Sequence, residues 1–138
     1  MSFDLRNPGA DYAAFWAARH LCTVTTLRPD GTPHVVPMGI ALDLEHGLAW
    51  GITSGTSRKA HNVAAAGPEG APVAVCQVDG RWWATLEGRA VVHSEPDVVE
   101  EACRRYAARY KEPRPNPARV ALRITLTRLL GNVPAETS

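Results

Sequence analysis

The sequence predicts a mainly β, α+β domain: a six-stranded antiparallel barrel, closed or nearly closed, with short helices at its ends. Three observations lead there. Alternating apolar and polar runs dominate the middle of the chain. Turn signals separate those runs, with 11 Gly and 11 Pro among 138 residues. No strand–helix–strand alternation is sustained, which argues against a parallel sheet.

The elements follow in order. Ala10 to Arg19, rich in Ala and aromatics, reads as a short helix. His20 to Leu27 carries β-branched Thr23, Val24, Thr25 and Thr26 and reads as a strand. Arg28-Pro29-Asp30-Gly31-Thr32 is a turn, so Pro33 to Leu42 returns as a second strand of a hairpin. Leu48 to Thr53 is a third strand, with Ala49 and Gly51 leaving one face bare. Ser and Thr residues cap a helix from Arg58 to Ala66. Val73 to Val78 and Trp82 to Val92 form a hairpin about Asp79-Gly80. Ser94 reads as the hydroxyl cap of a helix to Tyr110, with Pro96 in its first turn. Glu100–Arg104 and Glu101–Arg105 are spaced as i,i+4 pairs on its outer face. Three prolines between Lys111 and Pro117 force an extended connector, and Val120 to Leu126 is the last strand. The tail after Asn132 is expected to fray.

Composition sets the outer bounds. The length fits one domain spanning 1–138. A net charge of +1 gives no electrostatic case for nucleic acid or a membrane surface as partner. The chain opens without an apolar leader and holds no apolar stretch of spanning length, so a cytoplasmic location is expected. Cys22, Cys76 and Cys103 are widely spaced and read as reduced, buried thiols. The five histidines lack metal-ligand spacing, so no metal is expected.

Thr53-Ser54-Gly55-Thr56-Ser57-Arg58-Lys59 carries the most chemistry. The first N–H groups of a helix have no partner within it. Four hydroxyls crowd the same turn, and two cations sit where the helix dipole disfavours them by about 0.3–1 kcal/mol each. A bound phosphate would reverse that sign. A capped surface helix with solvated basic residues is the alternative. The bare face of Ala49 and Gly51 suits either a flat ring or close packing. His34 shares a strand face with Val36, Met38 and Ile40, as a structural residue or a substrate contact. Trp82 and Trp83 point to opposite faces, one of them toward the core. Glu87 and Arg89 share a strand face and can pair. Arg114 and Arg119 flank the proline connector, either solvated or as a clamp on an anionic ligand. No catalytic acid, base or nucleophile can be read from spacing.

With these residues placed, the chain resembles the pyridoxamine 5'-phosphate oxidase-like split β-barrel family, in its F420-dependent branch. The turn Pro29-Asp30-Gly31 with Pro33-His34-Val35-Val36 carries part of the likeness. Ser57-Arg58-Lys59-Ala60-His61-Asn62 matches the family's phosphate-binding turn. Gln77-Val78-Asp79-Gly80, Leu86-Glu87-Gly88-Arg89-Ala90 and Arg109-Tyr110 to Arg114-Pro115-Asn116-Pro117 look most like members that reduce biliverdin. The resemblance implies a homodimer with two interface sites and an F420-dependent reductase. It implies that Lys59, Ser57 and Arg58 hold the coenzyme phosphate, with Thr53, Thr56 and Asn62 in the same turn. Val36, Pro37 and Met38 would lie near the deazaflavin ring, with His34, Arg114 and Arg119 toward the substrate. Arg58 departs from biliverdin-reducing members that carry a neutral residue there. FMN in place of F420, or a non-enzymatic carrier of coenzyme, haem or bilin, are the rival readings.

Overall fold

The β-branched and alternating runs become strands, and the Ala-rich and capped segments become helices, in a computed structural model that describes residues 1–135. The elements are β1 (Ser2–Phe3), α1 (Ala10–Ala17), β2 (Cys22–Leu27), β3 (Pro33–Met38), β4 (Ala41–Asp43), β5 (Leu48–Ser54), α2 (Arg58–Ala65), β6 (Ala71–Asp79), β7 (Trp82–His93), α3 (Pro96–Arg109) and β8 (Arg119–Asn132). A 3₁₀ turn, Leu44–His46, joins β4 to β5. All strand pairs are antiparallel, in the order β3-β2-β6-β7-β8-β5-β4, with β1 added on β8.

That order closes the sheet. β3 and β4 are its two opposite edges, yet only Gly39 and Ile40 separate them in the chain. Two residues span roughly 7 Å at full extension, so the edges must be rolled together. The expected strand over 33–42 therefore breaks at Gly39-Ile40, where the chain leaves one edge for the other. Eight strands replace the expected six for this reason and because β1, at two residues, is too short to show a period.

The C-terminal end of α3 clasps the crossing. The Tyr110 hydroxyl donates to the His20 carbonyl at 2.7 Å and accepts from the Ile40 N–H at 3.2 Å. Arg109 donates to the carbonyls of Ile40 and, at 2.8 Å, Ala18, and to Gln77 Oε1. A Cβ at Gly39 would lie 2.8 Å from the Tyr110 ring and 2.9 Å from Tyr106, so only glycine lets the tyrosines this close. Burial pushes the Tyr110 hydroxyl up to about 12 and keeps it a neutral donor.

Val24, Ile40, Val75, Leu86, Leu122, Ile124 and Leu129 fill the barrel. α1 plugs one end with Tyr12, Phe15 and Trp16. The Tyr12 hydroxyl donates to the Leu130 carbonyl at 3.0 Å, and burial pushes it up to about 12. Gln77 is fully buried and donates to the Phe15 carbonyl at 2.8 Å, tying plug to barrel. Trp50 and Ala121 face the other way, toward Ala102 of α3.

Of the two readings of the Ala49 and Gly51 face close packing holds, and several local pairings and caps are corrected. The bare face of Ala49 and Gly51 is interior. A Cβ at Gly51 would meet Met38 Cε at 2.9 Å and Ile40 Cδ1 at 3.0 Å, so close packing fills the space offered to a ring. Glu95, not Ser94, occupies the cap position of α3 and makes no side-chain cap bond, because its carboxylate turns to His93 Nδ1 at 3.1 Å. Arg104 pairs with Glu101 rather than Glu100, while Glu101–Arg105 forms as expected at 3.0 Å. Glu87 pairs with Arg128 at 3.6 Å, and Arg89 donates to the Gly70 carbonyl at 3.2 Å; a bulge at Glu87/Gly88 separates the two. Beyond Asn132, residues 133–135 have no regular structure, and the rest of the expected loose tail, 136–138, lies outside the described residues.

Tyr110→Phe should cost about 1–3 kcal/mol, because it strands the Ile40 N–H and the His20 carbonyl together. Urea unfolding measures this, and an unchanged midpoint would show that the clasp does not hold the crossing.

Candidate functional site

The turn between β5 and α2 is built by its own hydroxyls. Ser57 is the cap of α2, and its Oγ accepts from the Ala60 N–H at 3.2 Å. Thr53 donates its hydroxyl to Ser57 Oγ at 3.1 Å, and Ser54 and Thr56 share a bond of 2.9 Å. The Gly55 N–H reaches the Ala118 carbonyl at 2.7 Å, which anchors the turn to the chain just ahead of β8.

Capping uses the Ala60 amide, and the His61 amide returns to the Ser57 carbonyl at 3.1 Å. The Arg58 and Lys59 amides stand at the positions that intrahelical bonding cannot serve. No carboxylate pairs with Arg58 or Lys59 among the described residues. Partial burial pulls the Lys59 ammonium below its usual range, with no anion to offset it. The turn thus presents two amides, a dense set of hydroxyls and two cations without a counter-charge, a donor set that fits a phosphate group.

Asn62 is placed differently from its neighbours. It is 4% exposed, and its Nδ2 donates to Thr26 Oγ1 of β2 at 3.0 Å. It ties α2 to the barrel, while its Oδ1 is buried with no partner. Across the β2–β3 ladder, Thr26 stands opposite His34, whose Nδ1 is also buried and unpartnered. Two unsatisfied polar atoms therefore flank Thr26. Thr26 is only 1% exposed and went unmarked in the sequence, where it reads as one more strand threonine.

β3 is the edge strand beside this turn. His34, Val36 and Met38 lie on its inner face and grow more buried toward Met38, while Val35 and Pro37 face outward. Met38 packs over Gly51, two residues before Thr53, so the end of β3 and the start of the turn are neighbours. The structure thus brings Thr53, Thr56, Ser57, Arg58 and Lys59 together and sets β3 beside them.

The two connector arginines separate. Arg114 is exposed, in a segment without regular structure. Arg119 starts β8 opposite Ser54 of the turn, but its guanidinium donates to the Arg114 carbonyl and reaches Cys103 Sγ at 4.0 Å. It braces the connector instead of standing free for a ligand. The three thiols are free, but only Cys22 is buried as expected, and burial pushes its thiol up; Cys76 and Cys103 are half-buried. Among the described residues no helix is long and apolar enough to cross a membrane.

These features define a split barrel with an anion-ready helix start beside a free edge strand. A sequence model of the pyridoxamine 5'-phosphate oxidase family matches residues 9–132, and the chain belongs to that family. An F420H(2)-dependent biliverdin reductase of Mycobacterium tuberculosis is 46% identical over 122 residues, covering 88% of this chain and 86% of that one. A conserved hypothetical protein of the same species superposes with a TM-score of 0.73 at 25% identity, over 94% of this chain and 90% of its own. A solved structure described as an F420 reductase superposes with a TM-score of 0.69 at 22% identity, over 90% and 98%.

Lys59→Met should raise the stability of the free protein at neutral pH, because it removes a half-buried, unpaired charge. With a folded-state pKa below the unfolded one, the lysine penalty is felt at low pH and fades as pH rises through the folded value. The gain in melting temperature should therefore shrink toward alkaline pH. A gain that does not vary with pH would show that the charge is not its source.

Proposed function

We propose that this protein is a reductase that passes a hydride from reduced F420 to an organic acceptor, with biliverdin the first acceptor to test. The observation that carries the reading is the uncompensated Arg58–Lys59 pair on a hydroxyl-lined helix start. The 46% identity to an F420H(2)-dependent biliverdin reductase, extending over most of both chains, supports the choice of coenzyme.

Lys59, Arg58 and the Ser57 and Thr56 hydroxyls would hold the coenzyme phosphate, with the free amides completing the cradle. Val36, Pro37 and Met38 would border the ring along the edge of β3. When bound, reduced F420 supplies the hydride, and the protein supplies placement. His34 stands two residues from Val36 on the same face, and its half-buried side chain would border the substrate. Arg114 is exposed and without a partner among the described residues, so it is the cation of the pair left for a substrate carboxylate.

The same reading includes a homodimer. Leu27, Val35, Val78 and Trp83 are 43%, 56%, 61% and 36% exposed. They lie on β2, β3, β6 and β7, four strands adjacent in the sheet, and the pairing register puts all four side chains on one outer face. Apolar side chains clustered on one sheet face mark a partner surface. A second copy on this face would sit beside β3 and enclose the coenzyme edge.

Titration of the protein with F420 and, separately, FMN tests the coenzyme. F420 should bind saturably and FMN more weakly, and Lys59→Ala should weaken F420 by about tenfold or more, the equivalent of about 1.4 kcal/mol or more. FMN binding alone would move the protein to the flavin branch. With biliverdin and reduced F420, Arg114→Ala should raise KM more than it lowers kcat, and an unchanged KM would remove Arg114 from the substrate site. Val35→Lys should shift the sedimentation coefficient toward a monomer.

A further inference from the structure

We infer that Asn62, Thr26 and His34 form a hydrogen-bonded relay through the barrel wall, which fixes His34 as a neutral Nε2–H donor toward the electron acceptor. His34 is then a catalytic residue, and Thr26 and Asn62 are positioning residues. The inference rests on the reading above, in which His34 borders the substrate, and it gives that histidine a defined tautomer and a task.

Three elements contribute one side chain each. Asn62 of α2 is 4% exposed and donates from Nδ2 to Thr26 Oγ1 of β2 at 3.0 Å. Thr26 is 1% exposed and stands directly opposite His34 of β3. Residues so paired carry their side chains on one face, with Cβ atoms roughly 4.5–5.5 Å apart. The Thr26 hydroxyl accepts from Asn62, yet its own proton has no acceptor among the described residues. His34 Nδ1 is buried and lacks a donor. The hydroxyl proton and Nδ1 are a matched pair, and a bond between them puts the ring proton on Nε2. The ring is half-buried with Nδ1 on its inner side, so Nε2 lies on the outer side. Asn62 Oδ1, also buried and unpartnered, is the competing acceptor. It serves only the opposite tautomer, with the proton on Nδ1, and that pairing strands the Thr26 hydroxyl proton inside the wall. No carboxylate pairs with His34 among the described residues, so neutral groups alone decide the tautomer. α2 also carries Lys59, three residues before Asn62, so the relay runs from the phosphate turn to the substrate edge.

Hydride addition to a conjugated acceptor leaves an electron pair on its terminal oxygen or nitrogen. An Nε2–H aimed at that atom stabilises the charge there, and the proton that completes the reduction comes from water.

Long-range ¹⁵N–¹H NMR of the full-length, ¹⁵N-labelled protein without F420 reads the tautomer, at about pH 8, above the ordinary histidine range. His34 should show a protonated Nε2 and a bare Nδ1, while the exposed His61 should show two averaged nitrogens. Thr26→Val keeps the shape, removes the hydroxyl and should abolish the Nε2–H pattern; Thr26→Ser keeps the hydroxyl and should restore it. With reduced F420 and biliverdin, Thr26→Val should lower kcat by about tenfold while F420 affinity stays within about twofold, and Thr26→Ser should recover the rate. A proton on Nδ1, a ring averaged like His61, or a Thr26→Val spectrum identical to the unsubstituted protein would each overturn the relay. An unchanged kcat in a Thr26→Val protein with the altered tautomer would overturn its part in the reaction. Absence of F420 binding sinks the function proposed above instead, and the NMR result then still decides the relay.

Discussion

The two-residue crossing at Gly39 and Ile40 constrains the rest of the molecule. A seven-strand path with consecutive strands at its two edges has no flat solution, so the sheet rolls until the edges meet. The edges meet without a ladder between them, and the fold substitutes side chains for the missing backbone bonds. Tyr110 and Arg109 satisfy the Ile40 N–H and carbonyl and reach His20, Ala18 and Gln77 from the same point. The glycine at 39 is the steric condition for that clasp, since any Cβ would drive the tyrosine rings away. α3 is consequently more than a cover. Its last turn and the residue beyond it link the crossing, the helical plug and a buried core amide.

Closure in this manner decides where chemistry can occur. β3 keeps one unpaired edge because its neighbour across the seam is held by side chains, not by a ladder. The β5–α2 turn is delivered to that edge by Met38 packing on Gly51 and by Asn62 reaching Thr26. A barrel closed by a full ladder would bury both features. The outward face of β3, β2, β6 and β7 is left with apolar side chains for the same reason. No helix among the described residues packs there, since α1 plugs the end, α2 lies over Thr26 and α3 covers the β5–β8 side.

Much of this was legible in the sequence. Alternation and turn residues gave β2, β5, β6 and β7 nearly to their ends, and the start of α2 at Arg58 behind a Ser/Thr cap was placed correctly, because these are local effects. The break at Gly39-Ile40 was not legible. Pro37 and Gly39 weaken the strand pattern of Pro33 to Leu42 but do not say where it ends, and the break is imposed by sheet closure, which is a global property. The same distinction separates the site residues. Ser57, Arg58 and Lys59 stood out because cations at a helix start conflict with the dipole. Thr26 did not, since its importance comes from Asn62, 36 residues away. Ala49 and Gly51 left two readings open: a bare strand face records only that something approaches closely, and here it is the protein's own Met38 and Ile40.

Arg109 and Lys59 both lack an acidic partner among the described residues, and the contrast between them separates structure from binding. Arg109 spends its guanidinium on neutral acceptors from three separate parts of the chain, so the fold itself uses most of its donors. Lys59 makes no hydrogen bond within the described residues, sits at the positive end of a helix dipole, and is partly desolvated. Each of those conditions raises the free energy of the folded chain. A substitution to almost any neutral residue would relieve them, and no internal contact would be lost. A cost of that kind, with no return inside the molecule, would be offset by the bound anion of the proposed function, and the capped, hydroxyl-lined turn around Lys59 has the donors to receive it.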